Sequence, residues 1–287
     1  MTLLGAIEAG GTKFVCAVSD NALNIIERLS IPTTVPEETM EAVVDFFGKY
    51  DVDSFGIGSF GPIDVNPASE TYGYITSTPK PGWNQFDFVG YLKKAFGKPI
   101  YWTTDVNAAA YGEYKLGASR DIPNSLYLTI GTGVGGGAVI NGGIFNGYSH
   151  PEMGHIKVQR HPEDTGEGSC PYHGDCLEGL ASGSAIEKRF GKKGIDLPKD
   201  HKAWEFTAYY LAQALMNYSL VLSPERIILG GGVMKQAHLL PMIQAKLEEL
   251  MAGYLALPPM AEYVQTPGLG DNAGITGCLL LAQKILN

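Results

Sequence analysis

Glu8-Ala9-Gly10-Gly11-Thr12-Lys13 and, about 120 residues later, Gly131-Thr132-Gly133-Val134-Gly135-Gly136-Gly137 are the stretches from which the fold is read. Each joins two alternating strands, near 4–9 and 12–19 for the first and at Leu126–Ile130 and Gly137–Ile140 for the second. Glycine lets the backbone approach a ligand closely and leaves N–H groups free to point at an anion, with threonine hydroxyls as further donors. One such turn reads equally well as a plain hairpin, since glycine is the default residue there. Two in corresponding places favour phosphate, with Gly10, Gly11, Thr12, Lys13, Thr132 and Gly133 as the contacts.

Outward from these turns, one order of elements is read twice. In the first half a strand near 24–31 follows, then a helix over roughly 36–49 with Pro36 in its first turn and Met40, Val43, Val44 and Phe47 at helical spacing. A strand from Phe55 to Ser59, a helix near 86–96, a strand from Ile100 to Thr104 and a helix from about 106 complete the set. In the second half a short strand around Ile144, a helix over about 202–222, a strand Arg226–Leu229, a helix near 235–252, an extended stretch near 262–265 and a final helix from about 272 repeat it. The repetition predicts a duplicated α/β fold. An insertion at roughly 146–181, rich in His, Cys, Gly and Glu, has no counterpart in the first half and predicts a dedicated site.

A third glycine cluster, Gly230-Gly231-Gly232-Val233, ends a strand and leads into a helix, the place where open α/β sheets hold ligands. Gly231 and Gly232 are therefore nucleotide candidates, against the plainer reading of a packing turn. Two matches to the dinucleotide fingerprint are rejected. After Gly131-x-Gly133-x-x-Gly136 the chain continues into strand rather than helix, and Pro62 follows Gly56-x-Gly58-x-x-Gly61. No Gly-x-x-x-x-Gly-Lys-Ser/Thr stretch occurs, which excludes a P-loop.

The 287 residues carry a formal net charge of −9, and the longest basic run is the Lys192–Lys193 pair, so nucleic acid is not an expected partner. No apolar run approaches the roughly 20 residues of a membrane span, and no signal-peptide pattern precedes the first strand. Of four cysteines, Cys16 and Cys278 read as core thiols. A reducing, cytoplasmic setting is expected.

Cys170-x-x-His173-x-x-Cys176 supplies three borderline-soft donors within seven residues, and His155 or His161 can add a fourth, giving the closed set that structural zinc takes. Asp105 follows the strand Ile100–Thr104. Alone it reads as a helix N-cap. Beside two phosphate turns it reads as the carboxylate that accepts a hydroxyl proton in phosphoryl transfer.

Glu8 to Lys13, Gly56-Ile57-Gly58 with Gly61-Pro62-Ile63-Asp64, Asp105-Val106-Asn107-Ala108-Ala109, Gly131 to Gly135, Glu152-Met153-Gly154-His155 and the Cys170 to Glu178 segment, in this order, resemble the ROK family of repressors, open-reading-frame proteins and sugar kinases. The resemblance spans the chain and is strongest to the zinc-containing bacterial fructokinases. It implies an actin-like ATPase (ribonuclease H-like) fold with a small domain at 1–115, completed by a terminal helix at about 273–287, a large domain at 116–272, and a substrate cleft. It implies Asp105 as general base, Glu152, His155 and Glu178 as sugar ligands, Ser184 as a further phosphate contact, and His155 rather than His161 as the fourth zinc ligand. ATP with Mg²⁺, D-fructose and a homodimer follow from the same likeness. The first strand begins within five residues of Met1, so a repressor's helix-turn-helix is not expected.

Two departures matter. Glu8 stands where the family usually has Asp, and is assigned to the water shell of Mg²⁺. Thr104 precedes Asp105 where the family's glucokinases have Asn, which argues against glucose. Mannose, glucose, an N-acetylhexosamine, or a non-catalytic sugar sensor are the alternatives to fructose phosphorylation.

Overall fold

The computed structural model describes residues 2–286. The chain divides into two compact units, one comprising Met1–Gly117, Ile144–Pro151 and Asn272–Asn287, the other Ala118–Gly143 and Glu152–Asp271.

The first unit runs β1 (Leu3–Ala9), β2 (Lys13–Asp20), β3 (Ile25–Pro32), α1 (Pro36–Phe47), β4 (Ser54–Ser59), β5 (Tyr74–Ile75), β6 (Phe86–Asp87), α2 (Phe88–Phe96), β7 (Ile100–Thr104) and α3 (Asp105–Leu116). In the second are β8 (Ser125–Ile130), β9 (Val134–Ile140), α4 (Leu177–Ala181), α5 (Gly183–Phe190), α6 (Lys202–Leu222), β11 (Arg226–Gly230), α7 (Leu239–Met251), α8 (Met260–Tyr263) and β12 (Val264–Gln265); β10 (Gly143–Ile144) falls at the division between the units, and α9 (Ala273–Lys284) returns to the first. The two five-stranded sheets have the orders β3-β2-β1-β4-β7 and β10-β9-β8-β11-β12, which is one topology used twice.

Each sheet has an antiparallel hairpin at one side and parallel strands at the other. Register fixes what shares an edge. Ala9 lies opposite Ser59, and Ser59 opposite Thr104, so the Gly10–Lys13 turn and Asp105 leave the same carboxyl edge of the first sheet. Thr129 lies opposite Gly230, which brings the Gly131 and Gly231 turns to the equivalent edge of the second.

Each face of the first sheet has its own core. One side packs Phe14, Phe46, Phe47, Phe55, Trp83, Phe88 and Trp102, and the other packs Leu4, Ala6, Cys278 and Leu281. The second unit closes around Leu128, Leu180, Trp204, Leu211 and Leu229. Each fully buried side chain of this size contributes about 1.5–3 kcal/mol. The core is what holds the strand register against slippage, because a one-residue slip would turn these side chains outward.

Some boundaries differ from the sequence pattern. The stretch near 262–265 is helical over Met260–Tyr263 before a two-residue strand, and the helix near 86–96 is preceded by the two-residue strand β6. The helix near 235–252 begins only at Leu239, after a single 3-10 turn at Val233–Lys235. Helix α5 was hidden by its length and by its opening Gly183-Ser184, poor helix formers. Residues 144–151, which periodicity alone leaves in the second half, belong to the first unit.

Candidate functional site

In the first unit, Gly10 N donates to Lys13 O (3.0 Å) and closes the turn. Thr33 braces it twice: its Oγ1 donates to Gly10 O (2.8 Å) and its N donates to Thr12 O (3.0 Å). Thr12 and Lys13 are exposed.

Asp105 opens α3 but does not cap it. Thr104 is the N-cap, its Oγ1 accepting from Asn107 N at 3.1 Å, while Asp105 Oδ1 accepts from the N–H of Val106 (2.9 Å). A helix start commonly needs a single side-chain acceptor, so the threonine relieves Asp105 of that duty. Glu8, on β1, lies against the first turn of α9: a Cβ on Gly274 would fall 2.4 Å from Glu8 Oε1. The absent side chain makes room for the longer carboxylate, and the positive end of the helix favours its charge.

In the second unit, Glu152 and His155 flank a 3-10 turn, with His155 N donating to Glu152 O at 3.0 Å. The Cys170 and Gly174 backbones pair as a small loop with Gly174 at φ +64°, and Leu177 N donates to Ile156 O (2.9 Å). These bonds bring His155, Cys170, His173 and Cys176 together, one donor atom from each lying within 4.8 Å of the others. His155 Nδ1 is 3.3 Å from His173 Nδ1, 3.7 Å from Cys170 Sγ and 3.6 Å from Cys176 Sγ, and Cys170 Sγ is 3.8 Å from His173 Nδ1. A tetrahedron with zinc–nitrogen and zinc–sulfur bonds of ordinary length has edges of about 3.3 Å between nitrogens and about 3.6 Å between nitrogen and sulfur. The donor set and spacing fit zinc. His161 is elsewhere, packed on Phe206 and Tyr209 with Nε2 3.7 Å from Glu205 Oε1.

Glu178, in the first turn of α4, joins this cluster to the second glycine turn. Its Oε1 is 4.0 Å from His155 Nε2, and its Oε2 accepts from Val134 N at 3.0 Å. A Cβ on Gly133 would meet Oε2 at 2.4 Å, so glycine there is a condition of the contact. Glu152 is exposed as a residue, yet burial of its carboxyl, and secondly the charge of Glu178, push it up to about 7. Burial likewise pushes the Cys176 thiol up to about 11.

The start of α5 meets the same turn: Gly183 N donates to Gly131 O (2.7 Å) and Ser184 N to Thr132 O (3.4 Å). Gly231 and Gly232 differ. Gly231 has φ +92°, and a Cβ there would lie 2.5 Å from Ile130 O, so packing alone requires it, whereas Gly232 faces open space. Sequence reasoning missed the Glu178 bridge and the buried ion pair of Asp164 with Arg189 (3.1 Å), which also engages Tyr210 and ties the insertion to α6. No local spacing signals either contact.

Two sheets of one topology, each with a glycine turn and a helix start at its carboxyl edge, define the duplicated actin-like ATPase fold. Over 99% of both chains it superposes on the ROK hexokinase of Thermus thermophilus with a TM-score of 0.80 and 26% identity. The ROK family model matches residues 4–285, and the chain belongs to that family. It is 55% identical over 284 residues to the fructokinase of Pediococcus pentosaceus (99% of each chain), and 49% identical over 288 residues to a putative fructokinase of Bacillus subtilis (99% of this chain, 96% of the relative).

Proposed function

We propose that this chain transfers the γ-phosphoryl group of ATP to the 6-hydroxyl of D-fructose. The observation that carries the kinase reading is the register that sets the Gly10–Lys13 turn and Asp105 on one sheet edge. Fructose is supported by the fructokinase relatives, and Thr104 ahead of Asp105 argues against assuming glucose.

In this reading Asp105 takes the proton of the 6-hydroxyl as that oxygen bonds to the γ-phosphorus. The bond from phosphorus to the β–γ bridging oxygen breaks, and its electron pair leaves on ADP. A positioned base contributes about 10²- to 10⁴-fold. Glu152, Glu178 and His155 orient the sugar hydroxyls. Gly10, Gly11, Thr12, Lys13, Thr132, Gly133, Ser184 and Gly232 receive phosphates, with Gly231 supporting Gly232.

Mg²⁺ brought with ATP would neutralise charge on the phosphate oxygens, with Glu8 suited to its water shell. Zinc would be held by His155, Cys170, His173 and Cys176; four protein donors leave no open position, so its work is to order the segment carrying Glu152 and Glu178. A homodimer in a reducing cytoplasm completes the proposal. The reducing setting is in keeping with Cys16 and Cys278, which form no disulfide, and the homodimer rests on the family likeness alone.

The test is an ADP-coupled assay of the purified protein with MgATP and a panel of D-fructose, D-mannose, D-glucose and N-acetylhexosamines. Turnover highest with fructose is expected. Turnover highest with another hexose rejects the sugar assignment, and no turnover with any of them rejects the enzyme.

A further inference from the structure

Lys80 lies in the long loop between β5 and β6, far in sequence from either glycine turn. Its side chain nevertheless runs along the first turn: a Cβ on Gly11 would be 3.4 Å from Lys80 Cε, and the ammonium is one bond further on. The residue is half-buried, and no carboxylate among the described residues pairs with it. Glu38 is the one acidic side chain lining the 320 Å³ cavity beside Lys80, and the two form no ion pair.

The placement is built rather than incidental. Lys80 O accepts from Trp83 N (3.2 Å), and the Trp83 indole, fully buried among Phe14, Phe60 and Phe88, donates from Nε1 to Thr34 O (2.7 Å). The neighbouring Thr33 is the residue that braces Gly10 and Thr12. One dipeptide, Thr33-Thr34, thus holds both the phosphate turn and the loop that carries the lysine. A half-buried cation without a carboxylate partner, lying against a glycine turn, is suited to an anion.

We propose that Lys80 binds the terminal phosphoryl group of the nucleotide at the Gly10–Lys13 turn, and so acts directly on the group being transferred. The proposal rests on the kinase reading. It distinguishes Lys80 from a residue that serves nucleotide binding in general, because ADP lacks the group Lys80 would touch.

The experiment measures ATP and ADP affinity, each with Mg²⁺, for wild type, Lys80→Met and Lys80→Arg, together with kcat on fructose. In Lys80→Met, ATP affinity and kcat should each fall about ten- to a hundredfold, the scale of one hydrogen bond to a charged group, while ADP affinity stays within about twofold. Retained ADP binding also shows that the variant is folded. Lys80→Arg keeps the charge and should recover most of the ATP preference. Equal weakening of ATP and ADP, unchanged ATP binding, or an Arg variant as impaired as the Met variant overturns the proposal. A wild-type protein that phosphorylates fructose alongside any of these results leaves the kinase reading standing; a wild type that binds neither nucleotide removes both.

Discussion

His155 Nε2 lies 4.0 Å from Glu178 Oε1, while Nδ1 of the same ring faces Cys170, Cys176 and His173. One imidazole therefore connects the cluster suited to zinc with a carboxylate suited to sugar. At 4.0 Å the pair is beyond hydrogen-bond length but close enough for the carboxylate to bias the ring; where such a partner does hydrogen-bond a metal ligand, its loss commonly costs about 10- to 100-fold in affinity or activity. Elemental analysis should find about one zinc per chain, as a four-donor structural site requires. Cys170→Ser or Cys176→Ser should abolish it. Protein grown with zinc that never contains any would contradict the assignment.

Chelation should weaken fructose binding more than nucleotide binding. Glu178 also accepts from Val134, so the second glycine turn feels the loss in part, but the Gly10–Lys13 turn is braced by Thr33 instead. Calorimetry on the chelated protein with Mg²⁺ restored should show about a ten- to hundredfold loss for fructose and a smaller one for ATP. Equal losses would mean global destabilisation.

Gly133→Ala is a sharper probe of the same bridge. The new Cβ would sit 2.4 Å from Glu178 Oε2 and must displace it. A shift of about 1 Å in a positioning group can cost on the order of a hundredfold, so kcat/KM for fructose should fall about ten- to a hundredfold in a folded protein. An unchanged value would separate Glu178 from the sugar.

The buried pair of Asp164 and Arg189 offers a prediction on stability. Both side chains are almost wholly enclosed, Arg189 also donates to Leu180 O (3.0 Å) in α4, and the Tyr210 hydroxyl donates to Asp164. Arg189→Met leaves the buried carboxylate only the more distant, partly exposed Arg160 (3.7 Å) as a cation, so the cost should approach but not exceed the roughly 3–5 kcal/mol of a broken buried pair. A clear drop in the urea midpoint of unfolding is expected. A midpoint equal to wild type would show that Arg160, Tyr210 and the backbone satisfy Asp164 without Arg189.

What was legible in the sequence was local. The turn at Gly10–Lys13, the donors at 170, 173 and 176, and the alternation of β1 and β2 each depend on spacing within a few residues. Lys80 was not legible: it reaches the turn through a loop without periodicity, held by the Trp83 indole. Glu178 could be named from resemblance, but its bond to Val134 depends on how α4 packs against β9. Ile144 alternates as a strand should, yet nothing in that pattern tells which core receives it, and it packs against the core of the first unit that contains Tyr111 and Cys278.

The most direct test of the account follows both products of the reaction with MgATP and D-fructose, in the wild type and in Asp105→Asn. The wild type should form ADP and fructose 6-phosphate in equal amounts, identified by phosphorus NMR. Asp105→Asn should still bind fructose while its turnover falls by about two to four powers of ten, the share a general base contributes. ADP formed without fructose phosphate, a phosphate on another hydroxyl, or an Asn variant that turns over like the wild type would contradict it.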